Sequence, residues 1–227
     1  ALDGTLIRHE YVHRVVNRIY PIINLGEFGA ISEALADYFA LASFWREFDT
    51  GDGDAVKNNL SVLGNFLTLP RNITADTTNC DPGSGKCIMP THWRGEVHDD
   101  SAIVSQALYD LRKGGNDLGE FSSGHAAYGG AVRGLHKADV FTYASLFYFP
   151  DNFANFYDAF VEVCKLLDDG GCPAPLEAKI ISAFGGHGVP SYMAGADVYD
   201  STSTSVMCDN NNGPECASDI SALYSLS

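Results

Sequence analysis

Apolar positions recur at helical spacing through much of the chain, and their breaks divide it into segments. Val12, Val15, Val16 and Ile19 form one stripe, on a helix expected from about residue 5 to Tyr20 and stopped by Pro21. Asp3 or Thr5 stands where its cap belongs. A second helix is expected over about 30–48. It is so rich in Ala, Leu, Tyr and Phe that most of it should be buried. Ile103, Ala107, Leu108 and Leu111 mark the inward face of a third over 102–112, with Asp99, Asp100 or Ser101 as its cap.

Two aromatic-rich helical segments, 138–149 and 153–167, are separated by Pro150. Phe141, Tyr143, Phe147 and Tyr148, then Phe156, Phe160, Val163 and Leu166, read as packing surface. A last helix over about 175–184 runs into Gly185-Gly186. The stretches 55–97 and 113–134 read as irregular. The second is Gly-rich but lacks a G-x-x-x-x-G-K-[ST] phosphate loop. The class is mainly α, with long irregular loops. Residues 1–189 form the helical unit, and 190–227, rich in Ser, Thr, Asp, Asn and Gly, form an irregular tail.

The first helix carries His9-Glu10-Tyr11-Val12-His13, an H-E-x-x-H motif. Two histidines four residues apart share a helical face, so both rings can reach one metal ion. Glu10 is the base suited to take a proton from water on that ion. Glu33, twenty residues after His13 on the second helix, is a natural third ligand. Three protein ligands leave a fourth position open, the arrangement of a catalytic zinc. Asp37, one turn after Glu33, is placed to bond the outer ring nitrogen of His9 or His13.

The chain has 227 residues, enough for a sizeable core in one or two domains. Its apolar fraction of 45% is that of a globular protein. A net charge of −15 argues against nucleic acid or an anionic membrane as partner. No apolar run is long enough to span a bilayer, and the start at Ala1, without a signal-peptide pattern, reads as a processed or trimmed end. Six cysteines fall into three close couples, Cys80–Cys87, Cys164–Cys172 and Cys208–Cys216. Short disulfide loops of this kind point to a secreted, extracellular protein. Asp49-Thr50-Gly51-Asp52-Gly53-Asp54 suits a Ca2+ loop, with a solvated acidic turn as the other reading. Asn59-Leu60-Ser61 and Asn72-Ile73-Thr74 are glycosylation sequons. His125 and His136 have no partner at metal spacing.

The stretch from Gly29 to Asp37 matches G-A-x-x-E-A-x-x-D at Gly29, Ala30, Glu33, Ala34 and Asp37. With His9, Glu10 and His13 before it, the chain resembles the thermolysin-like zinc metallopeptidases, the gluzincins. The resemblance covers residues 1–189 and implies the helical C-terminal lobe of that fold. It implies Zn2+ on His9, His13 and Glu33, Glu10 as general base, and Asp37 behind a ligand histidine. Val97, His98, Ser101 and Ile103 match the family's V-H-x-x-S-x-I, which makes His98 the donor to the oxyanion. Arg71 matches a short stretch carrying a substrate-carbonyl arginine.

The chain also departs from the family. Arg14 stands at a position that is usually small. Trp93 stands where an acid orients the catalytic histidine, with Asp99 or Glu96 as substitutes. Asn24 stands at the place of a second oxyanion donor, a tyrosine, with Tyr20 nearby. The family's strand-rich N-terminal lobe, which aligns the peptide substrate, is not in the chain. The expectation is therefore a separate lobe chain, or another subunit replacing it. Together these imply an extracellular zinc endopeptidase acting on polypeptides. The alternative is a catalytically impaired structural or self-assembling protein built on a protease lobe.

Overall fold

The computed structural model describes residues 3–19, 25–49, 61–64, 70–121, 135–167 and 171–189. Outside these lie most of the acidic 49–54 stretch, Tyr20, Asn24, His125, the tail 190–227 and the Cys208–Cys216 couple. The described part is mainly helical, as the periodicity predicts.

Helix α1 (Gly4–Ile19) is capped by Asp3, whose Oδ1 accepts the Thr5 amide at 2.9 Å and the Thr5 hydroxyl at 2.7 Å. Thr5 is thus not the cap. Its hydroxyl oxygen instead accepts the Gly64 amide at 3.0 Å and ties the hairpin to α1. Helix α2 (Gly26–Asp49) is the central element. Ala30, Ile31, Ala34, Leu35, Ala36, Tyr38, Ala40, Leu41 and Trp45 are all fully buried, and along this stretch only Ser43 is exposed, with Phe39 and Phe44 half-buried. Its alanines let α1 and α3 (Val97–Arg112) pack closely on either side.

Helix α2 starts four residues before the expected position, because Glu27 is drawn inward. Its Oε2 accepts the Phe153 amide at 2.6 Å and so caps helix α5 (Phe153–Leu167). Helix α3 starts five residues earlier than predicted, and its cap is Glu96 rather than Asp99, Asp100 or Ser101. Glu96 Oε2 accepts the amides of His98 at 3.1 Å and Asp99 at 2.9 Å. Asp100 is fully buried, and its Oδ1 accepts backward from the Arg94 amide at 2.8 Å. Consequently His98 lies inside the first turn of α3, not ahead of it.

Helix α4 (Lys137–Ser145) is capped by His136 and passes into a 3-10 turn, Leu146–Tyr148. Phe149, with φ of 53° in the left-handed region, ends it, so the helix is shorter than the expected 138–149. Helix α6 (Ala174–Gly186) closes the described core. Phe141, Phe156, Phe160 and Phe184 meet edge to face or tilted in that core. Of that predicted packing surface, Tyr143, Phe147, Tyr148 and Leu166 are instead exposed.

Two disulfides, Cys80–Cys87 and Cys164–Cys172, join the expected couples. His187 fixes the first of these loops beneath α6. Its Nδ1 donates to the Cys87 carbonyl at 2.6 Å, and its own carbonyl accepts from Met89 N at 2.9 Å. Gly188, at φ of 78°, has no room for a side chain, because a Cβ would meet the Met89 carbonyl oxygen at 2.1 Å. Strands β1 (Val62–Leu63) and β2 (Arg71–Asn72) pair antiparallel, with Leu63 opposite Arg71. Two-residue strands leave no alternation to read, so this hairpin falls in a stretch expected to be irregular.

Candidate metal centre

His9 is buried on the inner face of α1, and His13 follows one turn later, half-buried. Glu33, on α2, is 3% exposed. The packing of α1 on α2 brings all three together. Nε2 of His9 is 3.0 Å from Nε2 of His13 and 3.4 Å from Glu33 Oε2, while Nε2 of His13 is 3.3 Å from Glu33 Oε1. Tetrahedral zinc with bonds of about 2.0–2.1 Å sets its donors about 3.3 Å apart. Glu33 meets the two rings with different oxygens; with one ligand atom from each residue the three lie within 4.8 Å of one another, and among the described residues this is the group that could hold a metal ion.

Behind each ring nitrogen that faces the centre stands a partner. Asp37 Oδ1 lies 2.8 Å from Nδ1 of His9, so it orients His9 rather than His13. Ser32 Oγ lies 3.1 Å from Nδ1 of His13. The Asp37 carboxylate can only accept, so it holds Nδ1 of His9 as the donor, while the Ser32 hydroxyl can bond Nδ1 of His13 in either sense. Ser32 is absent from the sequence reading. The signal was there, one residue before Glu33 on the same helix, but a lone serine is too common to single out.

The electrostatics favour positive charge here. Burial opposes charging of His9, yet its bonds with Asp37 and Glu33 outweigh that and raise its pKa to about 9. Burial would raise the Glu33 carboxyl as well, but its bonds with His13 and His9 hold it well below the usual carboxylate range. The two buried acids, Glu33 and Asp37, thus hold positive charge beside them, on His9 and on the Arg71 guanidinium, which stands 3.2 Å from His9 Nδ1 and lowers the His9 pKa in part.

Arg71, carried on β2, reaches the same acids. Nη2 bonds Asp37 Oδ1 at 2.6 Å and Nη1 reaches Glu33 Oε2 at 3.3 Å, with the side chain 26% exposed. His98 stands across the centre on α3. Its Nε2 is 3.7 Å from Glu33 Oε2, and its Nδ1 is 2.7 Å from Glu96 Oε1. The open choice between Asp99 and Glu96 as orienting acid therefore falls to Glu96. Asp99 instead accepts from Asn79 Nδ2 at 3.3 Å, and Trp93 packs edge to face on Phe153. Burial would raise the Glu96 carboxyl, but bonds from the His98 ring and the Asp99 amide lower it.

His9, Glu10, Asp37, Arg71 and His98 line one cavity of about 540 Å³. Glu10 is exposed and lines the cavity. Arg14 is also exposed. His136 serves structure, accepting the Ala138 amide at 3.1 Å while its Nε2 lies 2.9 Å from Asp117. No protein-family model matches the chain, and no curated protein matches it significantly.

Proposed function

We propose that the protein is a zinc-dependent endopeptidase related in mechanism to the gluzincins, with the helices above forming its metal-bearing lobe. The observation that carries this reading is the cluster of His9, His13 and Glu33, whose ligand atoms lie within 4.8 Å of one another, with His9 lining the same cavity as the exposed Glu10. The ion would act as a Lewis acid that polarises the scissile carbonyl and acidifies water.

Glu10 takes the proton from the attacking water and holds it on its carboxylate. It then delivers that proton to the leaving amine nitrogen. His98 directs Nε2 into the cleft, where its N–H donates to the oxygen that gains charge as the carbonyl carbon becomes tetrahedral. Glu96 fixes the His98 ring from behind and balances positive charge on it. Arg71 braces Glu33 and Asp37 at the cavity wall. Its position there also supports a contact with a substrate carbonyl. The two disulfides are compatible with an extracellular setting, and no described helix is long and apolar enough to cross a membrane.

The test pairs metal analysis with a casein assay on the wild type and Glu10→Gln. Zinc bound by both, with cleavage only by the wild type, is the expected result. Equal cleavage by Glu10→Gln would overturn the mechanism. Zinc without cleavage by the wild type would move the reading to a structural protein on a protease scaffold.

A further inference from the structure

The two oxygens of Glu33 have different surroundings. Oε1 lies 3.3 Å from Nε2 of His13. Oε2 lies 3.4 Å from Nε2 of His9, but it also accepts from Nη1 of Arg71 at 3.3 Å and has Nε2 of His98 at 3.7 Å. The residue is 3% exposed, so protein groups rather than bulk water decide how each oxygen is engaged.

Arg71 reaches Oε2 with one arm of a rigid fork. Its other arm, Nη2, donates to Asp37 Oδ1 at 2.6 Å. Glu33 and Asp37 stand one turn apart on α2, so their carboxylates share a face. One planar guanidinium spans both, which a point charge on a flexible stem does not do.

The fork is itself held in place. Strand β2, which carries Arg71, pairs with β1, and the Thr5 hydroxyl near the start of α1 accepts the amide of Gly64, just past β1. Leu63 and Ile73, each 1% exposed, seat the hairpin in the core. The helix that carries His9 and His13 therefore also fixes the strand that carries Arg71.

A carboxylate can bind a metal ion through one oxygen or through two. Beside two histidines, the one-oxygen mode makes three protein donors and leaves the fourth tetrahedral position to water. The two-oxygen mode adds a fourth protein donor and crowds that position. We propose that Arg71 is a positioning residue that limits Glu33 to one oxygen on the ion. The guanidinium holds Oε2, and Oε1 is left as the ligand, in keeping with the hydrogen bonds that orient ligating carboxylates elsewhere. The inference rests on the metal-binding part of the proposed function and not on peptide cleavage.

Cobalt(II) in place of zinc tests this without any substrate. A tetrahedral ion absorbs strongly in the visible because its field has no centre of inversion, and a fifth donor weakens the bands. The cobalt-loaded wild type is expected to show the strong spectrum. Arg71→Met keeps the stem and loses the fork, and should absorb about threefold less per bound ion. Arg71→Lys keeps the charge without the fork and should resemble Arg71→Met. Melting temperatures establish that each variant is folded. Identical spectra in wild type and Arg71→Met overturn the inference and leave the metal centre standing. So does a folded Arg71→Met that takes up no cobalt, since Arg71 would then hold the site together rather than set how Glu33 binds. A strong spectrum restored by Arg71→Lys overturns it as well, because charge alone would suffice. A weak, five-coordinate spectrum in the wild type overturns it whatever the variants do. A wild type that binds no cobalt overturns the metal reading itself.

Discussion

Asp37 Oδ1 is shared between two donors, Nδ1 of His9 at 2.8 Å and Nη2 of Arg71 at 2.6 Å. One buried oxygen therefore sets the tautomer of a metal-facing histidine and anchors the arginine at the cavity wall. Asp37→Asn keeps the shape but loses the charge that both donors need. Zinc affinity is expected to fall about 10- to 100-fold, as for other partners of metal-bound histidines. Competition with a chromophoric chelator measures it. An unchanged affinity would show that Asp37 serves Arg71 alone.

Ser32 plays the matching part for His13 with a neutral oxygen, 3.1 Å from Nδ1. Ser32→Ala should weaken zinc less than Asp37→Asn, because a hydroxyl does not raise the basicity of the ring as a carboxylate does. A larger loss in Ser32→Ala, read by the same competition, would reverse the ranking of the two supports.

The Glu96 side chain divides its two oxygens between tasks. Oε2 caps α3 and Oε1 faces the His98 ring. Glu96→Gln retains an oxygen for the cap and removes the charge behind His98. The expected result is a kcat lowered about tenfold or more, with KM and melting temperature nearly unchanged. Glu96→Ala should lose about 1 kcal/mol of stability as well, from the missing cap. Parallel losses of stability and kcat in Glu96→Gln would mark a purely structural residue.

The helices were legible because their stripes are long. Val12, Val16 and Ile19, or Ile103, Ala107 and Leu111, repeat often enough to outvote local exceptions. Helix starts were not legible where the cap was an unusual one. Glu96 is not among the preferred capping residues, and Glu27 leaves its own helix to cap another far along the chain. The metal triad could be read because spacing on α1 alone brings His9 and His13 together. The choice of Asp37 for His9, Ser32 for His13 and Glu96 for His98 could not. Those pairings depend on the rotation of α2 against α1 and on where α3 begins, and both are set by packing.

Zinc should also stabilise the fold, since its ligands come from two helices. At a free zinc concentration about 100 times Kd, binding adds about 2.7 kcal/mol. For a chain of this size that raises the melting temperature by about 5–10 °C. Chelation should reverse the shift, and His9→Ala should abolish it. Calorimetric melting with and without zinc checks both, and an equal shift in His9→Ala would place the ion elsewhere.

Glu27 gives the fold a pH dependence on the alkaline side. The residue is 2% exposed, and its Oε1 has no hydrogen-bond partner while Oε2 accepts the Phe153 amide. Burial raises its pKa to about 8, partly offset by that amide and reinforced by Asp151 and Asp100. In the unfolded chain the same carboxyl ionises near 4.5. Between these values the folded protein holds a proton that the unfolded chain has lost, so unfolding releases it and stability falls as pH rises. The contribution is complete below about 4.5 and gone once pH passes about 8, a loss on the order of a few kcal/mol. Glu27→Gln imitates the protonated acid at every pH and keeps an oxygen for Phe153. Relative to wild type it should therefore gain stability from about pH 5 up to about pH 8 and hold a constant advantage above that. Urea denaturation at each pH measures that difference, and a difference that stays constant across the range would mean that Glu27 is ionised in the folded protein throughout.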